Sequence, residues 1–267
     1  MTPQTSSAAP IASFPTQLGI APPGDEKKRD KVFTREGSGS SDFSFNSETA
    51  AVFDDMVDRS VPSYSEIQRM CCELAADFAT PGSNLYDLGV STATTLLALD
   101  ATVDPSINFI GVDNSGPMLE EAAAKIKRSG TSRPFQLIQG DLHETPVIEN
   151  ASVVMLILTL QFIRPLYRER MIQRIYDGLN KNGCLILVEK ITTENTILNR
   201  LFIKNYYAMK RRAGYSEIEI SQKREALENV LIPYRPEENT TLLKESGFQC
   251  AEEFFRWYNF TGVVALK

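Results

Sequence analysis

The sequence predicts an α/β protein built on a mostly parallel sheet, and three features of the 267-residue chain support that prediction. From residue 84 onward, strand and helix patterns alternate regularly, which is typical of βαβ units. Residues 153–158 (VVMLIL) are apolar on both faces, as a parallel strand covered by helices requires. A short apolar run also ends at Gly89, where the pattern changes from strand to helix. Together these features indicate a Rossmann-like sheet.

A tail of low complexity is predicted before the folded domain. Residues 1–42 are rich in Ser, Thr, Pro, Ala and Gly, with one mixed-charge patch at residues 25–31. Such a composition buries too little apolar surface to offset the entropy of ordering, so residues 1–42 are expected to be disordered and residues 43–267 to be folded. The tail has neither the basic start and apolar core of a secretory signal nor an arginine before Arg29, which disfavours a targeting segment.

Two helices are predicted between this tail and the first strand. Ser47 and Ser63 are each expected to cap a helix, because each precedes apolar residues at helical spacing. Pro62 suits the entry to the second helix, and Tyr64 would lie in its first turn. Both helices are expected to roof a ligand pocket at the end of the first strand.

The remaining elements follow in a regular order. Strands are predicted at residues 84–88, 108–113, 135–139, 151–158 and 183–188. Helices are predicted at residues 92–99, 115–127, 165–179 and 237–245. Residues 193–230 are predicted to form a helical insertion after the fifth strand, and residues 254–257 and 261–267 a terminal antiparallel hairpin. A parallel sheet closed by such a hairpin is the arrangement of class I methyltransferases.

The turn after the first strand predicts a ligand with a positively charged group. A dinucleotide fingerprint requires three glycines, whereas here Gly89 is followed by Ser91 and Ala93. Asp87, just before the turn, would repel a pyrophosphate but attract an ammonium group. S-adenosyl-L-methionine carries such a group, so we expect it to be the ligand; a plain βα turn without a ligand is the alternative.

Acidic residues end three successive predicted strands: Asp87, Asp113 and Asp141. Asp113 follows Gly89 at about the spacing that a ribose-binding acid has in dinucleotide folds, so it is expected to accept hydrogen bonds from both ribose hydroxyls. Asp141 is expected to accept one from the adenine amino group. Each acid alone would more often be a helix cap or a solvated loop residue. Three consecutive strand ends favour a ligand site instead, because ligands lie across the carboxyl ends of such strands.

Charge and composition exclude several classes of protein. The net charge of −6 and the pI near 5.1 disfavour direct binding to nucleic acid through whole-molecule attraction. The chain has no run of about 18 apolar residues that would predict a membrane span. His143 is the only histidine, which disfavours His-based triads and multi-histidine metal sites, so no metal is expected. The four cysteines lack CxxC spacing and are expected to be reduced and buried in a cytoplasmic protein.

Several blocks of sequence match a known family. They are RSVP at 59–62, YS at 64–65, YDLG at 86–89 with Ser91, VDNS at 112–115, GD at 140–141, IENAS at 148–152, TLQF at 159–162, GYSE at 214–217, ISQKR at 220–224 and LENV at 227–230. On these blocks, residues 45–267 resemble the bacterial carboxy-S-adenosyl-L-methionine synthases, which have the methyltransferase fold. The blocks from residue 214 to residue 230 lie outside the generic fold and discriminate best.

The resemblance implies an enzyme that forms a homodimer and converts S-adenosyl-L-methionine and prephenate to carboxy-S-adenosyl-L-methionine and phenylpyruvate. A partner enzyme then uses the product to carboxymethylate a wobble uridine of tRNA. A sulfonium acidifies its own methyl group, so this chemistry requires an ylide carbon, captured carbon dioxide, and a protein that supplies positioning and charge complementarity. A methyltransferase acting on a small molecule or RNA, and a cofactor-binding protein without catalysis, are the alternatives.

The resemblance also implies roles for individual residues. Residues implied to contact the cofactor are Tyr64, Gly89, Ser91, Asp113, Asn114, Asp141 and Leu142. Arg224 is implied to hold the added carboxylate through paired hydrogen bonds, which lysine cannot reproduce; a solvated helix face is the alternative. Arg224 and Tyr64 are the expected catalytic residues. Lys210, Arg211 and Arg212 form a further basic cluster that could gather a dicarboxylate such as prephenate or touch RNA phosphate, with surface solvation as the alternative.

Three positions depart from the family pattern. Val90 stands where the family has a cysteine of the glycine turn, and Ala93 where it has the last glycine. Both changes should alter packing only slightly if the helix lies one methyl further away. Ile157 stands where the family has an asparagine near the ligand. This third change removes a hydrogen bond beside the ligand and leaves the second substrate open.

Overall fold

A seven-stranded sheet organises the part of the chain that the computed structural model describes, which is residues 28–34, 42–144 and 147–267. The strands, in chain order, are β1 Asn84–Leu88, β2 Asn108–Asp113, β3 Phe135–Gln139, β4 Ala151–Ile157, β5 Leu179–Lys190, β6 Cys250–Trp257 and β7 Phe260–Leu266. Their order across the sheet is β3-β2-β1-β4-β5-β7-β6. The strands from β1 to β5 pair in parallel, while β7 is antiparallel to both β5 and β6. The predicted fold class is therefore confirmed.

Helices cover both faces of this sheet. In chain order they are α1 Ser47–Ala50, α2 Phe53–Ser60, α3 Tyr64–Phe78, α4 Thr94–Leu99, α5 Gly116–Ser129, α6 Pro165–Gly178, α7 Thr196–Arg212, α8 Glu217–Leu227 and α9 Pro236–Glu245. A short 3₁₀ helix, Leu160–Phe162, follows β4. The helical insertion predicted after β5 contains α7 and α8. Across the described residues, every helix is too short or too polar to cross a membrane.

The core lies on both faces of the sheet, because alternate residues of each central strand point to opposite sides. One cluster includes Leu88, Val112, Val154, Leu156 and Leu187. The other includes Leu85, Phe109, Val153, Met155 and Ile186. This two-sided burial explains why residues 153–158 lack the polar alternation of a strand with one solvent face.

The fifth strand is longer than predicted. It extends from Leu179 to Lys190, whereas the apolar pattern marked only residues 183–188. Its first half is polar and includes Asn182, which has a φ of 64°, and its pairing with β4 shifts register between Ala151 and Val153. A polar, irregular segment carries no strand periodicity, so the sequence pattern missed both ends of β5.

The segment before β1 corrects two capping predictions. Asn46 caps α1 by accepting a hydrogen bond from the backbone N–H of Thr49 at 3.0 Å, so Ser47 is the first helical residue. Asparagine caps as well as serine does, and it lies one residue earlier. The helix predicted from Ser47 is two helices, α1 and α2. Ser63 does precede α3, but with a φ of 52° and without a side-chain capping bond.

Part of the predicted tail is packed on the domain. Most of it, residues 1–27 and 35–41, lies outside the described residues, but residues 28–34 lie against α2 and the insertion. Asp30 is 2% exposed, and its carboxylate accepts a hydrogen bond from the Tyr215 hydroxyl at 2.7 Å. Its backbone N–H donates to Asp55 at 2.7 Å. For this short segment the expectation of disorder is wrong, because composition does not register individual buried contacts.

Candidate functional site

A cavity of about 230 Å³ opens at the carboxyl ends of the parallel strands, where ligands of open α/β sheets bind. All of the predicted site residues except Arg224 line it: Tyr64, Asp87, Gly89, Val90, Ser91, Asp113, Asn114, Asp141, Leu142 and Ile157. The roof comes from α2 and α3, as predicted, through Phe53, Met56, Val57, Ser60, Tyr64 and Gln68. The strand-end acids and the glycine turn therefore meet in one place.

The glycine turn is shaped by two constraints on Gly89. Its φ is 86°, a conformation that favours glycine, and a Cβ placed there would overlap the side chain of Thr159. The backbone N–H groups of Gly89 and Val90 both donate to the carbonyl of Val112, at 2.7 and 3.0 Å. The turn is thus held against β2 on one side and against the end of β4 on the other.

The two departures within this turn are accommodated by packing. Val90 is 4% exposed, and a Cβ placed on Gly111 would lie 2.8 Å from its Cγ2, so the valine packs directly over that glycine. Ala93 is fully buried before α4 with a φ of 60°, a left-handed conformation that costs alanine about 1–2 kcal/mol. Ala93 therefore adopts a backbone conformation that favours glycine.

Asp87 is a buried carboxylate that faces the cavity without a partner. It is 3% exposed, and the described residues provide no hydrogen bond to its oxygens. Burial, together with the negative charge of Asp113, raises the pKa of Asp87 to about 7. A buried polar group without a partner is costly, and a ligand ammonium would both pair with it and hold it ionised.

Gln68, in the roof, adds an unpaired donor to the same cavity. Its Oε1 accepts a hydrogen bond from Thr95 Oγ1 at 2.9 Å, while its buried Nε2 has no partner within the described part of the chain. The amino-acid end of S-adenosyl-L-methionine carries an ammonium and a carboxylate. An unpaired acceptor at Asp87 and an unpaired donor at Gln68 complement those two groups, so the residues present fit this cofactor.

Asp113 links the glycine turn to the end of β2. Its Oδ2 accepts from the backbone N–H of Ser91 at 2.9 Å, and its Oδ1 accepts from that of Ser115 at 2.9 Å. Burial raises its pKa even though these bonds, with one from Asn114, oppose the shift. Each carboxylate oxygen can accept a second hydrogen bond, so Asp113 can hold the turn and also receive a ribose diol.

Asp141 is more exposed than the other two acids and is paired with the single histidine. Its Oδ1 accepts from the backbone N–H of His143 at 2.9 Å and lies 2.7 Å from Nδ1 of that ring. The hydrogen bond from the His143 backbone lowers the pKa of Asp141 against a smaller opposing effect of burial. His143 also lines the cavity, a role that the sequence did not predict. The described residues contain no group of three or more His, Cys, Asp or Glu placed to bind a metal ion.

Tyr64 and Ile157 both line the cavity, Tyr64 from α3 and Ile157 from the end of β4. Burial, with the negative charges of Asp54 and Asp87 nearby, raises the pKa of the Tyr64 hydroxyl. Tyr64 is therefore a neutral hydrogen-bond donor rather than a base at neutral pH. Ile157 presents an apolar side chain where the resemblance expects an amide, so this wall excludes water more effectively than an asparagine would.

Arg224 does not reach the cavity of its own chain. Its side chain is 59% exposed, and its ion pair is with the adjacent Glu225 at 3.8 Å. Successive residues of a helix point about 100° apart, so α8 turns Lys223 into the cavity and Arg224 toward solvent. Within one chain Arg224 therefore lies outside the cavity, and its contact with the cofactor stays a prediction.

Two lysines line the cavity without having been predicted to do so. Lys190 ends β5, and Lys223 lies on α8. The rule that strand ends face the ligand would have found Lys190 if the fifth strand had been predicted to its true end. No comparable signal in the sequence pointed to Lys223. Whether Lys223 or Arg224 faces the cavity depends on the rotational phase of α8.

Comparison with known proteins supports a methyltransferase fold and a specific family. Residues 85–183 match the family model described as "Methyltransferase domain". The carboxy-S-adenosyl-L-methionine synthase of Methylococcus capsulatus is 50% identical over 240 residues, covering 90% of this chain and 99% of the relative. The enzyme of the same name from Desulfotalea psychrophila is 44% identical over 241 residues, covering 90% of this chain and 98% of the relative.

Solved structures agree at the level of the fold. A SAM-dependent methyltransferase from Aquifex aeolicus superposes with a TM-score of 0.55, covering 84% of this chain and 99% of that one. The sequence identity is 13%, so this likeness concerns architecture alone. The residues discussed above lie on that architecture where its strands end.

Proposed function

The chain belongs to the carboxy-S-adenosyl-L-methionine synthase family, and from this premise we propose that it carboxylates the methyl group of S-adenosyl-L-methionine in the cavity at the strand ends. The observation that carries the proposal is identity of 50% to a relative of that name over 99% of the relative's length. The unpaired Asp87 carboxylate, which suits the cofactor's ammonium group, supports the proposal from the site itself. Prephenate is the proposed carboxyl donor, as the family resemblance implies.

The proposed reaction balances without an oxidant or a metal. Prephenate gives up its ring carboxylate as carbon dioxide and its ring hydroxyl as hydroxide, becoming phenylpyruvate. The hydroxide takes one methyl proton and leaves as water. One carbon–carbon bond breaks in prephenate and one forms between carbon dioxide and the methyl carbon. S-adenosyl-L-methionine supplies the acidity of that methyl group, and the protein supplies orientation and a dry cavity.

The residues of this chain would divide the work along the cavity. Asp113 would hold the ribose, and Asp87 the ammonium group, which together fix the position of the sulfonium. Tyr64 would donate a hydrogen bond from the roof. Ile157 would form an apolar wall beside the methyl group, where carbon dioxide, which has no net charge, needs no hydrogen-bond partner. The apolar lining would limit loss of carbon dioxide to water.

A homodimer is part of the proposal, because Arg224 can serve as a carboxylate clamp only in the cavity of a second copy. Its guanidinium is exposed in the single chain. Apolar side chains on α7, in the same insertion, support a protein interface there: Ile197 is 69% exposed, Leu198 45% and Leu201 46%. We propose that two copies associate through the insertion, and that each copy places its Arg224 in the cavity of the other.

The proposed enzyme would act in the cytoplasm and supply a second enzyme. Carboxy-S-adenosyl-L-methionine would be passed to a tRNA carboxymethyltransferase that modifies a wobble uridine, as the resemblance implies. The acidic chain, with a net charge of −6, is not proposed to bind tRNA itself.

Mass spectrometry tests the proposal. Purified protein incubated with S-adenosyl-L-methionine and prephenate should yield carboxy-S-adenosyl-L-methionine and phenylpyruvate in equal amounts, and Asp113→Ala should reduce both products. Ligand released from freshly purified protein gives a second readout. Plain cofactor with a methylated acceptor would favour a methyltransferase, and the absence of any turnover would favour a binding protein; either result contradicts the proposal.

A further inference from the structure

Three lysines gather on the β5 side of the cavity, across the sheet from Asp141. Asp141 follows β3 at one edge of the parallel strands, whereas Lys190 ends β5 on the other side of β1 and β4. Lys190 and Lys223 line the cavity, and Lys210 is 4% exposed on α7. If the ribose lies at Asp113, the sulfonium end of the cofactor points toward β4 and β5, so these cations lie on the side of the second substrate.

Two tyrosine rings join the lysines into one cluster. The ammonium nitrogens of Lys190 and Lys210 lie 5.1 and 5.4 Å from the centre of the Tyr206 ring. Those of Lys210 and Lys223 lie 5.5 and 5.6 Å from the centre of the Tyr215 ring. Aromatic faces stabilise cations but leave their hydrogen-bond donors unused, so the cluster is held in position with donating capacity to spare.

The cluster has more positive charge than the described residues neutralise. Lys223 donates to Ser60 Oγ at 3.1 Å and lies 3.9 Å from the carboxylate of Asp30. Neither Lys190 nor Lys210 has a hydrogen bond or ion pair to its ammonium within the described part of the chain. Burial lowers the pKa of Lys190 to about 8. Burial also lowers the pKa of Lys210 to about 7, with a further contribution from the neighbouring lysines.

Such an arrangement of cations is unfavourable by itself and would favour the binding of an anion. Burying an unpaired charge costs free energy that an internal partner would offset, and among the described residues only the Asp30 carboxylate lies within 4 Å of any of these three ammonium groups. A cavity lined by charges of one sign, with apolar walls, concentrates ligands of the opposite sign. The whole chain is acidic, with a net charge of −6, so this local excess of lysine is specific to the cavity.

We propose that Lys190 and Lys223 form a carboxylate-binding subsite for the second substrate, with Lys210 adding positive potential from behind. This inference rests on the proposed function and names how its carboxyl donor is held. A cation beside a carboxylate stabilises the anion and would oppose its loss as carbon dioxide. The lysines therefore hold the side-chain carboxylate that prephenate keeps, which is also the carboxylate of phenylpyruvate.

Lys190→Met is the decisive variant, because it removes an ammonium that has only a ring contact to lose. Prephenate KM and the inhibition constant of phenylpyruvate should each rise about tenfold or more, since a charge-assisted hydrogen bond is lost. Affinity for S-adenosyl-L-methionine, measured by calorimetry, should stay within about twofold of wild type. Thermal stability should be unchanged or higher, because an unpaired buried cation is gone. Lys190→Arg should recover part of the affinity.

Lys204→Met is the matched control, because Lys204 is exposed on α7, the helix that carries Lys210. It should leave unchanged the prephenate KM, the inhibition constant of phenylpyruvate, the affinity for S-adenosyl-L-methionine and the thermal stability. An active Lys190→Met variant with wild-type KM and inhibition constant would overturn the inference. So would a loss of affinity for S-adenosyl-L-methionine with an unchanged prephenate KM, since the lysines would then hold the cofactor's own carboxylate.

The inference and the proposed function fail in different ways. If wild type forms no carboxylated product, the proposed function fails. Calorimetric titration of prephenate and phenylpyruvate into the cofactor-loaded protein still tests the subsite, because binding needs no turnover. Weaker binding to Lys190→Met than to wild type would support the subsite, and equal binding would overturn it.

Discussion

Asp87 combines two properties that rarely coexist in a folded protein, near-complete burial and the lack of a hydrogen-bond partner among the described residues. Its pKa is raised to about 7 by burial and by Asp113. An unfolded aspartate has a pKa near 3.9. Between these values the folded state keeps a proton that the unfolded state has released, so the free energy of unfolding falls as pH rises from about 4 to about 7.

Asp87→Asn should therefore gain stability relative to wild type as the pH rises. The asparagine does not titrate, so the difference in melting temperature between variant and wild type should grow from about pH 5 to about pH 8 in the absence of ligand. Tyr64, Cys71 and Cys72 face the same carboxylate, but burial raises their pKa values and they stay neutral in this range. Differential scanning fluorimetry across this range checks the prediction, which a constant difference would contradict.

Arg224 gives a second test at the residue scale. If it clamps the added carboxylate in the partner copy, Arg224→Ala should weaken binding of carboxy-S-adenosyl-L-methionine by about 2–5 kcal/mol. It should leave affinity for S-adenosyl-L-methionine nearly intact, because the groups of that cofactor are held elsewhere. Arg224→Lys should recover only part of the loss, since a point charge lacks the planar fork. Calorimetry with both ligands measures the difference, and equal losses for both would contradict the clamp.

Mixing the Asp113→Ala and Arg224→Ala variants tests whether Arg224 acts between subunits, provided that each variant alone is inactive. Asp113→Ala disables the cavity, and Arg224→Ala removes only the clamp. In a mixed dimer, one site would carry both defects and the other neither, so random mixing should restore about a quarter of wild-type activity. Both variants staying inactive after mixing would locate Arg224 and Asp113 in the same site of one chain.

At the element scale, the turn between β1 and α4 was predictable, while the end of β5 was not. The acids and Gly89 were found because a strand that ends in a glycine turn leaves a clear change of period. Lys190 was missed because the polar start of β5 and its final Glu189-Lys190 carry no strand alternation. Whether Lys223 or Arg224 faces the cavity depends on the rotational phase of α8. One turn of mixed polar and apolar residues does not predict that phase.

Gly82 lies before β1 and Gly89 after it, and both have a positive φ. Replacing each with alanine distinguishes the cost of backbone strain from the cost of a steric conflict. Gly82, with a φ of 75°, has no atom within 4 Å of the position that an added Cβ would take, so Gly82→Ala should cost about 1–2 kcal/mol from conformation alone. Gly89→Ala adds a conflict with Thr159, so it should cost about 1–3 kcal/mol more and should also weaken cofactor binding. Thermal unfolding and calorimetry measure both. Equal losses of stability in the two variants would show that Thr159, after β4, moves aside without a cost in free energy.

At the scale of the whole molecule, the boundary of the folded domain was the least predictable feature. The composition of residues 1–42 resembles that of a disordered segment, yet Asp30 and Phe33 within it are buried. Two residues in a polar stretch do not change a compositional average. The partners of Asp30, Tyr215 and Lys223, are far away in the chain, so only the tertiary structure reveals the contact.

Two truncations should distinguish the packed segment from the rest of the predicted tail. Removing residues 1–27 should leave the melting temperature nearly unchanged, because their composition offers little apolar burial. Removing residues 1–34 also deletes Asp30, which accepts the hydrogen bond of the Tyr215 hydroxyl and lies 3.9 Å from the buried ammonium of Lys223. Losing the Tyr215 hydrogen bond and the nearby opposite charge at Lys223 should cost about 2–4 kcal/mol, or several degrees in melting temperature.

The full-length variant Asp30→Asn isolates the charge from the rest of the segment. It keeps an acceptor for Tyr215 but removes the carboxylate that lies 3.9 Å from the Lys223 ammonium. It should lose less stability than the longer truncation and should bind phenylpyruvate more tightly, because an internal competitor for Lys223 is gone. Calorimetry and thermal unfolding of all three proteins check this. If the two truncated proteins have the same melting temperature, the contacts of residues 28–34 do not contribute to stability in solution.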